Sequence, residues 1–136
     1  MHATITITGK SWDESSVAGS DPAHAIARAT FTTAYAGDLV GVSTCALLIC
    51  YVGGDPSDPA TLVGPYSGYE RVTGTLDGRS GSFVFAATGE HSGGVARTAV
   101  TIVAESGTGE LAGISGSGSY AADAMEYTME LDYDLA

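Results

Sequence analysis

Three times, the chain carries a variant of the stretch Gly74-Thr75-Leu76-Asp77-Gly78-Arg79-Ser80. The other two copies occupy residues 37–43 and 109–115, and all three share the pattern G-x-L-x-G-x-S. Each copy ends one strand-like run and begins the next, as a hairpin connection does. We expect the central glycine to supply the positive φ of a tight turn, and the leucine before it to close the strand end with an apolar side chain.

The spacing of the three copies predicts an up-and-down barrel. They fall between the second and third, fourth and fifth, and sixth and seventh of eight strand-like runs. Alternate connections of an antiparallel meander lie at the same end of the sheet, so the three turns should cluster at one end. The sequence therefore predicts one all-β domain over residues 1–136, an eight-stranded antiparallel barrel with its longer connections at the other end.

Alternation of apolar and polar side chains gives the approximate limits of the strands. They are residues 3–12, 27–36, 43–52, 69–76, 80–88, 95–104, 115–120 and 125–134. The intervening stretches 13–25 and 53–67 are rich in Ser, Asp, Gly and Pro, so both are interpreted as loops and the second as a lid or rim. The third run is apolar on both faces, and its outer face would suit a covering segment or a second copy in a homodimer.

The overall charge and the cysteines restrict partners and location. Sixteen acidic residues against five basic ones give a net charge of −11, which makes nucleic acid and anionic membranes poor partners. The sequence shows neither a long apolar run nor a leader, so a cytoplasmic protein is expected. Cys45 and Cys50 are an odd number of residues apart on one strand, so they face opposite ways, cannot form a disulfide, and are predicted to be buried thiols.

Glu70 is the main candidate for chemistry. It is in phase with Leu76, which assigns it to the interior near the open end. A carboxyl group in an apolar pocket has a raised pKa and can act as a general acid. The alternatives are that Glu70 pairs with Arg71 at the rim or faces outward. Tyr69 and Tyr127 are candidate catalytic partners, because a phenol can bond a substrate oxygen while its ring contacts apolar surface.

A larger set of aromatic and thioether side chains would line the lumen of a hollow barrel and fill that of a packed one. The set is Trp12, Phe31, Tyr35, Tyr51, Phe83, Phe85, Met125 and Met129. Trp12 is equally compatible with a lid over the core. His24 and His91 do not have the spacing of metal ligands, so no metal and no other cofactor is predicted.

Several stretches together resemble a bacterial family of small uncharacterised proteins. They are Lys10-Ser11-Trp12-Asp13-Glu14, Gly37-Asp38-Leu39, Tyr69-Glu70-Arg71-Val72-Thr73-Gly74-Thr75-Leu76, Gly78-Arg79-Ser80-Gly81-Ser82-Phe83, Ser106-Gly107-Thr108-Gly109-Glu110-Leu111-Ala112-Gly113 and Leu131-Asp132-Tyr133-Asp134. The resemblance covers nearly the whole chain and implies an allene-oxide-cyclase-like barrel without an established activity. Members of that family often carry polar residues where this chain has Ala46 and Ala86-Ala87, so a lumen lined by these positions would be more apolar here.

Three functions are compatible with these observations. The first is a cofactor-free cyclase or isomerase that holds a hydrophobic intermediate, polyketide-like or oxylipin-like, while Glu70 and nearby tyrosines polarise one of its oxygens. The second is a non-catalytic barrel that binds a small hydrophobic ligand. The third is a packed barrel that acts through subunit contacts. A cavity opening between the longer connections would favour the first two, and a filled lumen would leave the third.

Overall fold

The alternating runs form nine antiparallel strands in a computed structural model, which describes residues 1–135. They are β1 (His2–Ala18), β2 (Ile26–Gly37), β3 (Leu39–Cys50), β4 (Gly53–Asp55), β5 (Asp58–Leu76), β6 (Arg79–Ser92), β7 (Val95–Ile102), β8 (Ser115–Ala122) and β9 (Glu126–Asp134). Two 3-10 helices, Pro22–His24 and Gly109–Leu111, are single turns. No helix within the described residues is long and apolar enough to cross a membrane.

Eight of the strands close into a ring. Their order is β1-β2-β3-β5-β6-β7-β8-β9, and the pairing of β9 with β1 completes it. β3 pairs directly with β5, while the short β4 between them in sequence lies against β5 alone. Each barrel strand thus has a neighbour on both sides, which removes the exposed edges of an open sheet. The predicted all-β up-and-down barrel is confirmed, with β4 as an additional strand.

Period-two alternation decides which side chains enter the barrel. On β9, Met129, Leu131 and Tyr133 are buried while Glu130 and Asp132 are exposed, as predicted. The same alternation on the other strands gathers one hydrophobic core inside the ring, to which β8 contributes through the half-buried Tyr120. Burial of this inner face is the main favourable term in folding.

The three copies of the repeated motif meet at one end of the barrel, which we call the base. The backbone N–H of Asp77 donates to the carbonyl of Asp38 at 2.8 Å, and that of Ser80 donates to the carboxylate of Glu110 at 3.2 Å. The leucines of the three copies are almost completely buried and plug the base: Leu39, Leu76 and Leu111. Clustering of the copies and the apolar plug were both predicted.

The central glycine supplies the predicted positive φ in the third copy, where Gly113 has a φ of 82°, and in the second copy, which forms a tight hairpin turn. There Asp77 and Gly78 have φ values of 47° and 85°, as a type I′ hairpin requires. In the first copy the positive φ falls on Gly37, and the central Gly41 lies inside β3. The third copy lies within a long connection, residues 103–114, that closes the base. The expectation that the long connections lie at the opposite end is therefore wrong for this segment.

The strand glycines of the motif allow close contact between neighbouring strands. Tyr35, Gly41, Gly74 and Gly81 form one row across β2, β3, β5 and β6. A Cβ atom on Gly74 would lie 2.2 Å from the carbonyl oxygen of Val40, which no real side chain tolerates. The row of glycines also leaves space inside the barrel beside the large side chain of Tyr35.

Two segments interpreted as loops are largely strand. β1 continues to Ala18, and β5 begins at Asp58, so the predicted lid is mostly a β4–β5 hairpin. Pro59 and Pro65 suggested a loop, but both are exposed and lie beyond the end of the β3–β5 ladder, on a stretch of β5 with which β3 does not pair. Proline is tolerated near a sheet edge, because its missing N–H leaves no ladder partner unpaired there.

The outer face of β3 is apolar and exposed. Val40, Val42 and Leu48 are each more than half exposed. Cys45 is buried inside the barrel, but Cys50 is exposed, so the prediction of two buried thiols is wrong for Cys50, whose side of β3 remains uncovered. The homodimer that this face suggested stays a prediction.

We expect the substitution Gly74→Ala to destabilise the barrel by roughly 1–3 kcal/mol, because its methyl group would collide with the β3 backbone and force two strands apart. Gly53→Ala is the matched control, since nothing lies within 4 Å of a Cβ atom built there. Urea unfolding followed by circular dichroism compares the two variants. Equal unfolding midpoints would contradict the close strand contact.

Candidate ligand-binding site

The barrel is filled at the base and hollow at the opposite end, which we call the mouth. In the filled half, Phe83 and Phe85 pack edge to face with ring centroids 5.1 Å apart. At the mouth lies an open, mostly apolar cavity of about 620 Å³, which we call the cup. Its deepest inward side chains are Thr33, Leu47, Tyr66, Thr98, Tyr120 and Tyr127. Its volume is within the range of small-molecule sites.

Tyr66, Thr98, Tyr120 and Tyr127 form the floor of the cup. The hydroxyl oxygens of Tyr66 and Thr98 lie 2.6 Å apart, and the rings of Tyr120 and Tyr127 lie 4.8 Å apart at 33°. Burial raises the pKa of all three tyrosines, that of Tyr127 to about 12. They are therefore neutral phenols at physiological pH and can each donate a hydrogen bond.

Glu70 lies just below this floor. It faces inward on β5, is 6% exposed, and is flanked across the sheet by Cys45 on β3 and Phe85 on β6. Within residues 1–135 its carboxyl group forms no hydrogen bond and no salt bridge; only burial acts on it, and burial raises its pKa to about 7. The side-chain phase predicted from the sequence is correct, and the alternatives of an outward face or a rim pair with Arg71 are not observed.

The carboxyl group of Glu70 is open to the cup. Among the described residues, the Tyr35 hydroxyl is the one buried side-chain polar atom that has neither a hydrogen bond nor contact with solvent. The unbonded oxygens of Glu70 therefore touch solvent. Glu70 is not one of the residues that line the cup, but it faces inward above a filled base, so we infer that this contact is through the floor of the cup. In addition to burial, the charge of Glu70 raises the pKa of Tyr127 and of Tyr120.

Trp12, Glu14 and Tyr51 form the rim of the cup. The Trp12 ring stacks on Phe31 with centroids 4.9 Å apart and an interplanar angle of 19°. Glu14 accepts hydrogen bonds from the Trp12 indole N–H at 3.2 Å and from the Tyr51 hydroxyl at 2.8 Å. A β-bulge just before Trp12 shifts the alternation of β1 and brings the indole onto the wall. These contacts fix the aromatic side chains of the rim in position.

The predicted site residues separate into three groups. The cup contains Trp12, Phe31, Tyr51, Met125 and Tyr127. The filled half contains Tyr35, Phe83, Phe85 and Met129, each at most 4% exposed. The selection of Tyr69 as a catalytic partner of Glu70 is wrong, because its side chain lies on the outer wall and is 62% exposed. Neighbouring residues of a strand face opposite ways, so an inward Glu70 forces Tyr69 outward.

Sequence reasoning missed Tyr66, Thr98 and Tyr120. Tyr66 was assigned to a loop because of the nearby prolines. Tyr120 ends the Gly/Ser-rich β8, whose other inward positions include Gly118, and continuing that alternation would have found it. No sequence pattern marks Thr98 as a site residue, and its hydroxyl lies beside that of Tyr66 only in the folded barrel.

The resemblance led us to expect polar residues in other family members at Ala46, Ala86 and Ala87. One of these three alanines faces the lumen. Ala87 is buried and faces inward, beside Gly68. Ala46 and Ala86 pair with the outward Tyr69 and lie on the outer wall. The expected gain in lumen apolarity is therefore confined to Ala87.

The histidines considered as metal ligands lie apart from each other in different connections and strands. His24 bonds to Asp21 at 3.0 Å, and His91 at the mouth bonds to the carbonyl of Leu62 at 2.6 Å. No group of three or more His, Cys, Asp or Glu side chains that could hold a metal occurs within residues 1–135. The polar side chains that line the cup are therefore tyrosines, threonines and a glutamate together with Lys10, Ser11, His91 and the Trp12 indole.

Fold and site together define a small antiparallel β-barrel with one filled half and one open, apolar half. The family described as proteins of unknown function (DUF3224) matches residues 3–133, and the chain belongs to that family. The sequence resemblance to a bacterial family of uncharacterised proteins is thereby confirmed.

A solved relative has the same fold. The crystal structure of a DUF3224-family protein of unknown function from Shewanella oneidensis MR-1 superposes with a TM-score of 0.72 at 22% identity, covering 100% of this chain and 98% of that one. At this identity the likeness shows the fold alone. No curated protein matches the chain. The likeness to allene oxide cyclase receives no support from these comparisons.

The substitution Glu70→Gln should raise the free energy of unfolding increasingly as pH rises. A glutamate whose pKa rises from 4.5 to about 7 on folding stabilises the fold below pH 4.5 and loses that contribution as the pH rises through 7. Between pH 5 and pH 8 the variant should therefore gain roughly 2–3 kcal/mol over the wild type.

Urea unfolding of both proteins at several pH values checks this difference. Glu126→Gln is the matched control, because it removes the same charge from an exposed position on β9. Its difference from the wild type should stay constant with pH. A Glu70→Gln difference that is equally flat would contradict the raised pKa.

Proposed function

We propose that the protein binds a small hydrophobic molecule in the cup. The observation that carries the proposal is the cup itself, about 620 Å³ of open space with mostly apolar walls above a filled base. Cavities of this size and lining bury most of the surface of a small ligand. The presence of the cup argues against the third hypothesis, a packed barrel without a cavity.

The distribution of polar groups supports an oriented ligand. Apolar walls such as Leu47 and Ile49 would contact the body of the molecule, and their removal from water on binding is favourable. The floor offers hydrogen-bonding groups to such a ligand, because the hydroxyls of Tyr120 and Tyr127 lie near Glu70. A ligand with one polar end would enter with that end first.

A cofactor-free cyclase or isomerase is the second candidate, acting on a hydrophobic intermediate of polyketide-like or oxylipin-like character. Its specific support is Glu70, because a carboxyl group with a pKa of about 7 can both give and take a proton near neutral pH. The cup would orient the substrate and exclude water. In this mechanism Tyr127 is the hydroxyl beside Glu70, and Tyr69 has no role. A carboxylate-bearing oxylipin would be repelled by Glu70 and Glu14, so a neutral intermediate fits better.

Filling the cup should weaken the binding of a neutral hydrophobic dye such as Nile red. Ala122 lines the cup and Ala121, next to it on β8, is exposed on the outer wall. We expect Ala122→Trp to weaken dye binding by about tenfold or more, and Ala121→Trp to leave it unchanged. Fluorescence titration measures both. Equal affinity in the two variants would place the dye outside the cup and contradict the proposal.

The second candidate predicts proton transfer by Glu70. A β,γ-unsaturated steroid ketone is a suitable probe, because its isomerisation needs one carboxyl group in an apolar pocket and is followed by ultraviolet absorbance. The wild type should convert it, Glu70→Gln should be slower by about 100-fold or more, and Glu126→Gln should be unchanged. Nile red binding should persist in all three. Absence of conversion by the wild type would count against the isomerase and leave the binding function.

A further inference from the structure

The cup has one acidic residue just below its floor and another at its rim, and no lysine or arginine lies in its described interior. Glu70 lies below the floor and Glu14 is held at the rim. Lys10 is the one lysine or arginine among the lining residues described, and it is exposed at the mouth. The remaining basic side chains are exposed outside the lumen: Arg28, Arg71, Arg79 and Arg97. Above pH 7, where Glu70 is ionised, the two carboxylates therefore outweigh the single lysine at the mouth.

Glu70 lacks the partner that a buried carboxylate normally has. Burial of an isolated charge is costly, so buried carboxylates are paired with cations or receive several hydrogen bonds. Glu70 has neither within residues 1–135. On its mouth side, Gly68 on its own strand and Ala87 on β6 are small, and Leu47 on β3 is the one larger side chain in the neighbouring pairs. The space above the carboxyl group is open to a ligand atom.

Aromatic rings form much of the remaining wall. Six of them line the cup: Trp12, Phe31, Tyr51, Tyr66, Tyr120 and Tyr127. The face of an aromatic ring carries negative electrostatic potential and attracts an organic cation, more strongly where water is excluded. The carboxyl groups and the aromatic faces therefore both favour a positively charged ligand.

We propose that the ligand of the cup is a hydrophobic amine, whose protonated nitrogen pairs with Glu70 and whose apolar part lies against the aromatic wall. The inference rests on the proposed binding function and adds the chemical class of the ligand. An anionic amphiphile would bring a second negative charge toward Glu70 and Glu14. A neutral molecule would satisfy the walls and leave Glu70 unpaired.

Binding of a cation at this place must displace a proton. The titratable groups on the strands facing Glu70 are Cys45, Tyr66, Tyr120 and Tyr127, and burial raises the pKa of each, so they stay neutral. Glu70, with a pKa of about 7, is mostly protonated at pH 6 in the empty cup. An ammonium group lowers that pKa, so binding at pH 6 releases a proton and affinity increases toward pH 8.

Three probes that share one ring system test the charge preference: naphthylmethylamine, naphthylmethanol and naphthoate. Isothermal titration calorimetry in buffers of different ionisation enthalpy gives both affinity and proton release. At pH 8 we expect the amine to bind about tenfold more tightly than the alcohol and naphthoate to bind most weakly. At pH 6 the amine should release a proton, and the alcohol should not.

Matched variants locate the effect. Glu70→Gln should remove both the preference for the amine and the proton release while the alcohol still binds, and Glu126→Gln should change neither. His91→Gln should also leave the proton release intact, which excludes the imidazole at the mouth as its source. The wild-type measurements stand independently of how well any variant folds.

The possible results separate the inference from the function on which it rests. If none of the three probes binds, the cup is not a ligand site and both proposals fail. If the probes bind but the amine shows no advantage, or naphthoate binds best, ligand binding stands and the amine is overturned. A preference that survives Glu70→Gln and disappears in Glu14→Gln would move the cation to the rim and overturn the pairing with Glu70.

Discussion

Closure of the sheet through the pairing of β1 with β9 is the constraint on which the rest of the structure depends. The two strands pair in register from His2–Asp132 to Thr8–Glu126, and the N-terminal amine donates to the carbonyl of Tyr133 at 2.7 Å. Once the ring is closed, every second side chain has to enter it. The alternation that would give an open sheet one apolar surface instead gives the barrel an interior.

The interior has a filled half and an open half because the inward side chains at the base are large and several of those at the mouth are small. At the base, three leucines and the pair Phe83–Phe85 are almost completely buried and fill the interior. At the mouth, positions such as Gly9, Ala96 and Ala122 are too small to meet, and the aromatic side chains lie along the wall. Glu70 stands at the boundary between these halves, where it is buried by the protein and still open to the cup. That position accounts for both its unpaired state and its proposed role.

The sequence was sufficient for the topology and for the phase of the best strands, and insufficient for the division of the lumen. Period-two alternation and the repeated motif predicted the barrel, the base and the inward Glu70, because these depend on local geometry. Tyr69 cannot share the lumen with Glu70, because adjacent residues of one strand face opposite ways. Tyr66 was assigned to a loop because prolines flank it. Proline is common in loops, but it also occurs in a strand where one side has no pairing partner, as on the stretch of β5 that does not pair with β3. The sequence of one strand shows which side chains face inward but not which side chains lie opposite them. It therefore could not show that Phe83 fills the lumen while Phe31 lines the cup.

The titration of Glu70 by carbon-13 nuclear magnetic resonance tests most directly whether an unpaired carboxyl group stands at the floor of an open cup. Selective labelling of glutamate side chains, with Glu70→Gln to assign the signal, gives its midpoint with the cup empty and occupied. The structure predicts a midpoint of about 7 in the free protein and a change when a ligand binds. A midpoint near the ordinary value of 4.5 that no occupant of the cup alters would contradict it.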